Sequence, residues 1–155
     1  YERTSFADRD KSKEFVGTAA ALWGITAGVY LSLMGPRGME EIGKTILQKA
    51  QYAAKRLCEL RGVALAFPKA VFFKEFAIDF NKTGKSVKSI QAALLREKIF
   101  GGVDLSQGFP ELGQAALFCV TEIHTKEDVD RVVESIKKIL GGGGKVRVVR
   151  KGKRG

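Results

Sequence analysis

Apolar positions along the chain follow two different periods. Ile42, Ile46, Leu47, Ala50, Ala53, Ala54, Leu57 and Leu60 recur at three- and four-residue spacing, while Glu40, Glu41, Lys44, Lys49, Lys55 and Arg56 fall mostly off that stripe. The pattern predicts an amphipathic helix that Pro36 is placed to start and Gly62 to stop. Val63 to Phe67 is a short apolar run closed by Pro68, and Phe72, Phe76, Ile78 and Phe80 share one face of the next stretch. An antiparallel pair of strands is expected there. Ser86 is placed to cap a helix reaching about Lys98 that buries Val87, Ile90, Ala93 and Leu94, with Leu95 at its margin.

Gly101 and Gly102 then break the pattern, and residues 103–113, with Asp104, Gly108, Pro110 and Gly113, read as a loop. Ala115 to Val120 is a continuous apolar run of strand length, which predicts a central strand. The final helix is the clearest element. Thr125 suits its N-cap, Glu127 and Asp128 favour its positive start, and Lys137 and Lys138 its negative end. Val129, Val132, Val133, Ile136, Ile139 and Leu140 make its apolar stripe.

Phe15 to Gly35 contains no charged residue. The run is close to the length of about 20 apolar residues that spans a bilayer. Gly17, Gly24, Gly28, Thr18, Thr26 and Ser32 dilute its hydrophobicity, and Lys11, Lys13 and Arg37 give little charge asymmetry to orient a span. A helix buried between protein layers is the better reading. Three segments follow: 1–35, a polar arm and buried connecting helix; 36–140, a small domain; 141–155, a glycine hinge and basic tail. The fold class expected is α+β, a small, mainly antiparallel sheet packed with helices.

Composition supports a folded chain: of 155 residues, 45% are hydrophobic and 28% charged. The net charge of +10 raises a nucleic-acid reading, but six of the cations lie in residues 145–155, and the rest of the chain carries only +4. Cys58 and Cys119 lie in apolar segments and read as reduced core thiols of a cytoplasmic protein. The chain opens at Tyr1 with no initiator Met and no signal-peptide pattern, which reads as a fragment or a processed product.

Candidate chemistry is sparse. Gly141 to Gly144 precede Lys145 but follow a helix, whereas a phosphate loop follows a strand. His124 has no second ligand at metal spacing and reads as a boundary residue. One His and no nucleophile turn give no hydrolytic triad. No lysine is embedded in an apolar segment that would activate it for a Schiff base. The candidates for a cleft or interface are Gly101 and Gly102 at the glycine turn, and Thr121 and Glu122 where the apolar strand ends. No catalytic, cofactor-binding or metal-binding residue can be assigned.

Five segments carry a more specific signal. Val29-Tyr30-Leu31-Ser32-Leu33-Met34-Gly35-Pro36-Arg37-Gly38-Met39 resembles VYLSLLGPEGL of the glycine cleavage system P-proteins, in the subunit 1 form of decarboxylating glycine dehydrogenase. Leu47-Gln48-Lys49-Ala50-Gln51-Tyr52-Ala53 resembles that family's following helix, and Phe72-Phe73-Lys74-Glu75-Phe76 its FFNEF strand. Gly101-Gly102-Val103-Asp104-Leu105 and Phe109-Pro110-Glu111-Leu112 resemble GGLDL and YPEL. Leu117-Phe118-Cys119-Val120-Thr121-Glu122 and Thr125-Lys126-Glu127-Asp128-Val129-Asp130 resemble LLCVTE and TKEDID. The family's KATSNICT segment is matched here only by Lys11 and Thr18, and the tail after Gly144 exceeds the family's usual end.

The resemblance implies the small C-terminal domain of a fold-type-I pyridoxal-phosphate enzyme, with the helix leading into it. It implies a reaction that releases the carboxylate of glycine as CO2 and passes the aminomethyl group to a lipoyl H-protein. Pyridoxal phosphate is the electron sink there, and its lysine belongs to subunit 2, so these residues alone are expected to bind no cofactor. Implied partners are subunit 2, the H-protein and the rest of the same subunit; neither nucleic acid nor membrane is expected. The alternatives are the C-terminal domain of another fold-type-I enzyme, or a basic binding module using residues 145–155.

Overall fold

The computed structural model describes residues 19–141, with side chains from Ala21 onward. The chain divides into two units, residues 1–41 and 42–155. The polar arm before residue 19 and the basic tail after Gly141 lie outside the described residues.

Helix α1, Ala19–Cys58, runs through this division and is broken at Gly35 (φ 60°, ψ 179°). The cause is Pro36, which lacks an N–H and clashes with the preceding turn, pushing residue 35 out of the α basin. That backbone position is essentially open only to glycine. Pro36 thus restarts a helix as its position predicts. The expected burial of the first half is not found: Leu22, Trp23 and Leu33 are 67%, 74% and 81% exposed, and Ile25, Val29 and Leu31 are also exposed. An uncharged run reports that a helix can be buried, not that its own chain supplies the cover. No helix among the described residues is long and apolar enough to cross a membrane.

The second unit is an antiparallel sheet packed on one face by helices, the α+β class that the periodicity predicts. Strands β1 (Ala64–Leu65), β2 (Glu75–Asp79), β3 (Val103–Asp104) and β4 (Ala115–Cys119) lie in the order β1-β2-β4-β3. The anticipated pair at 63–80 is β1 against β2, with Leu65 opposite Ile78. The apolar run is the central strand β4, which pairs Phe118 with Phe76 and Ala116 with Ile78. Residues 103–104, expected in a loop, instead form the edge strand β3 on β4. Only two residues pair there, too few to leave a period in the sequence.

Helix α2, Val87–Arg96, is capped by Ser86, whose side chain accepts from Ser89 N–H. It buries Val87, Ile90 and Leu94, but Leu95 is exposed. Helix α3, Lys126–Ile139, starts at Thr125 with a reciprocal capping box to Asp128 and buries Val129, Val133 and Ile136. These meet Ala50, Ala53, Ala54 and Leu57 of α1 and the sheet residues Phe76, Ile78, Phe80, Ala116 and Phe118 in one core. Aromatic contact orders its centre: the Phe76 and Phe118 rings stack at 6.1 Å and 13°. Of the two thiols, both free, Cys58 is half-buried and Cys119 is exposed, which corrects the core assignment of Cys119. Cys119 alternates with buried Phe118 and Val120 and so falls on the opposite face of the sheet.

A polar clamp joins α1 to α3 beside this core. Asp130 accepts from Tyr52 Oη at 2.7 Å and pairs with Arg56 at 3.1 Å and Lys126 at 2.6 Å. The Lys126 ammonium, Tyr52 hydroxyl and Arg56 guanidinium hold the Asp130 carboxyl down to about 2. A carboxyl with a lowered folded value stabilises the fold above its unfolded value, and that contribution is lost as pH falls through the folded one. Urea midpoints should therefore decline between about pH 4 and pH 2, and Asp130→Asn should lower the midpoint at pH 7 and flatten that decline.

The turn into β3 admits no side chain. Gly102 has φ 80°, and a Cβ there would lie 2.4 Å from the Leu117 carbonyl oxygen. Gly84 has φ 73° but faces open space. Gly102→Ala is expected to cost about 3 kcal/mol and Gly84→Ala about 1 kcal/mol, read by chemical denaturation.

Candidate functional site

The C-terminal end of β4 and the segment following α2 flank one cavity of about 420 Å³. Its floor is built from core residues, Phe76, Phe118, Val120, Val129 and Val133, where the sheet and helices α1 and α3 part company. Lys98, His124, Asp128 and Arg131 supply its polar wall.

On one side, β4 gives way to a turn that leads into α3. Thr121 N–H donates to His124 Nδ1 at 3.0 Å, with Thr121 Oγ1 3.3 Å from the same atom. A nitrogen that accepts a backbone N–H carries no proton, so the neutral ring holds its proton on Nε2. The Glu122 carbonyl accepts from Lys49 Nζ at 2.5 Å, fixing this turn to α1. Thr125 N–H and its hydroxyl donate to Asp128 Oδ2 at 2.8 Å each. These two donors hold the Asp128 carboxyl below its usual range.

On the other side, α2 ends in a left-handed residue. Lys98 has φ 59°, the one non-glycine with positive φ among the described residues. Its N–H donates to the Leu95 carbonyl and that of Ile99 to the Leu94 carbonyl, closing the helix. Glycine usually holds this position because it has no Cβ to crowd the carbonyl. Glu97 ties the segment to α3: its carbonyl accepts from Arg131 Nη2 at 2.7 Å and its carboxylate from Ser135 Oγ at 2.6 Å.

The four residues singled out from the sequence surround the cavity without lining it. Gly101 is buried and packs so closely that a Cβ would lie 2.4 Å from Leu94 Cδ1. Gly102, half-buried, offers its carbonyl to Gln91 Nε2 at 3.0 Å. Thr121 is half-buried, and the Glu122 side chain is exposed. The two glycines thus serve close backbone approach, and their neighbours Lys98, Ile99 and Phe100 reach the cavity. His124, a boundary residue by its sequence position, lines it together with Arg131 and Lys98, which belong to no sequence motif. Nothing in the local pattern marks a lysine as left-handed or an arginine as facing a cavity formed by three distant segments.

The helix starts of the sheet unit do not fit the phosphate of a pyridoxal cofactor. Phosphate sites use free N–H groups at a helix start. Here the α3 start is filled by the Asp128 carboxylate, and at the α2 start Ser86 accepts from Ser89 N–H while Gln114 Oε1 accepts from Val87 N–H at 2.8 Å. No group of three or more potential metal ligands occurs among the described residues.

The model of the family "Glycine cleavage system P-protein" matches residues 2–136. The chain belongs to that family. Among curated P-protein relatives, "Probable glycine dehydrogenase (decarboxylating) subunit 1" of Desulfitobacterium hafniense is 44% identical over 131 residues, covering 84% of this chain and 28% of that protein. The protein of the same description from Sulfurisphaera tokodaii is 42% identical over 140 residues, covering 90% and 29%. A crystal structure of glycine decarboxylase (P-protein) of the glycine cleavage system, in inhibitor-bound form, superposes with a TM-score of 0.67 at 28% identity. It covers 87% of this chain and 30% of that one. The chain therefore spans less than a third of the length of these relatives.

Removing the backbone strain at Lys98 is expected to stabilise the fold. A left-handed L-residue costs about 1–2 kcal/mol, so Lys98→Gly should raise stability by about 1 kcal/mol in urea unfolding. An unchanged or lower midpoint would count against that reading of the helix end.

Proposed function

We propose that this chain is the C-terminal part of a subunit 1 type glycine decarboxylase, serving a structural and interface role and not catalytic alone. In this reading the whole enzyme converts glycine to CO2 and passes the aminomethyl group to the lipoyl H-protein. Pyridoxal phosphate, held elsewhere in the assembly, supplies the electron sink. The partners are subunit 2, the H-protein and the rest of the same subunit, in the cytoplasm.

The observation that carries the proposal is the family match over residues 2–136, spanning nearly all of the chain. Two structural features support the structural role. Both helix starts of the sheet unit are capped by its own side chains, which leaves no phosphate cradle there. Residues 22–33 present an apolar helix surface that is exposed in this chain and suits a covering protein surface. This chain's contribution is then positional. The sheet core fixes the Thr121–Thr125 turn and the Gly101–Gly102 turn at one end of β4, where Thr121 and Glu122 would face a cleft with the rest of the enzyme.

Glycine-dependent exchange of labelled CO2 tests it. The complete subunit 1 with subunit 2 and H-protein should exchange, and the 155-residue chain should not. Full exchange by this chain alone, or by subunit 1 without subunit 2 and H-protein, would overturn the assignment of roles.

A further inference from the structure

The cavity beside β4 has no part in the role proposed above, yet its lining is chemically coherent. Its volume, about 420 Å³, lies within the roughly 300–1,000 Å³ typical of small-molecule sites. Phe76, Phe118, Val129 and Val133 make its floor apolar. Phe100 and Ile123, also lining it, are 80% and 76% exposed. Two large apolar side chains in water beside an open apolar cavity favour an apolar body that covers them.

The polar wall selects the other end of such a ligand. The Lys98 ammonium makes no ion pair among the described residues. Arg131 spends Nη2 on the Glu97 carbonyl and keeps its other N–H groups. His124 presents Nε2–H, because Nδ1 is occupied by Thr121. The one carboxylate on the wall, Asp128, is engaged by the N–H and hydroxyl of Thr125. The free groups are therefore all donors, and with Asp128 counted against Lys98 and Arg131 the wall carries one net positive charge. A single negative charge matches it, whereas a dianion would be over-charged for the wall and repelled by Asp128. Lys98 is held at this wall in a left-handed backbone conformation that a glycine would adopt without strain.

We infer that this cavity binds a small monocarboxylate with an apolar body, its carboxylate held by Lys98 and Arg131 and its hydrocarbon lying over Phe118, Val129 and Val133. The inference does not depend on the proposed enzymatic role.

Titration calorimetry on the 155-residue chain tests it, with octanoate as probe and 1-octanol as its uncharged counterpart. Octanoate should bind saturably with one site per chain, and octanol roughly fivefold or more weakly. Lys98→Gly removes the ammonium while relieving the backbone, so it should stay folded and weaken octanoate by roughly five- to tenfold without changing octanol. Val133→Phe, which fills the floor, should abolish both; should it fail to fold, Ile123→Ser at the exposed mouth should weaken both. The inference is overturned if octanoate shows no saturable binding, if octanol binds equally well, or if Lys98→Gly leaves octanoate affinity unchanged.

Discussion

The direct pairing of Phe118 with Phe76 across β4 and β2 is the contact on which the sheet unit depends. Their rings stack on the helix-facing side, Phe80 approaches Phe118 at 6.5 Å, and Phe72 extends the row from Phe76 at 5.2 Å. Aromatic pairs add to area burial when offset or tilted, and a row of four rings gives the sheet a rigid floor. Small residues complete the fit. Ala50, Ala53 and Ala54 bring α1 close to this floor, and Val129, Val133 and Ile136 close it from α3. Where the rings end, so does the close packing: Phe76 and Phe118 are also the floor of the cavity. The core and the candidate site are two sides of one set of side chains.

Elements whose signals are local were legible in the sequence. The α3 cap needs only Thr125 and Asp128, three residues apart, and the structure forms both halves of that box. Pro36 announces its own break, because a missing N–H and a fixed φ act on adjacent residues. The apolar run 115–120 is legible as a strand because it is continuous, uncharged, of strand length and preceded by the turn residue Gly113. Family membership was equally readable, since five ordered segments carry it and the family match spans residues 2–136.

Features made by distant segments were not legible. Strand β3 pairs only Val103 and Asp104 and depends on β4 being present to receive it. The left-handed state of Lys98 comes from how α2 must end before Gly101 and Gly102, and a lysine carries no mark of it. His124 becomes a cavity residue only when the turn after β4 folds its ring back on Thr121. Exposure of Cys119 follows from alternation at the end of a strand whose register the sequence does not reveal. The first half of α1 is the sharpest case: its apolar pattern led to an expectation of burial, whereas Leu22, Trp23 and Leu33 are exposed, because periodicity is blind to whether any polypeptide covers the helix.

The sheet unit supplies its own helix caps and a stacked core, yet Val71, Phe100 and Ile123 stay exposed on it, and residues 22–33 of the first helix likewise leave large apolar side chains exposed. In the proposed assembly the rest of the subunit covers that helix. Hydrogen exchange compared between this chain and the complete subunit tests this most directly. Amides of 76–79 and 116–119 should exchange slowly in both, and those of 22–33 should exchange quickly in the isolated chain and become strongly protected in the complete subunit. Equally fast exchange of residues 22–33 in both proteins would contradict the account.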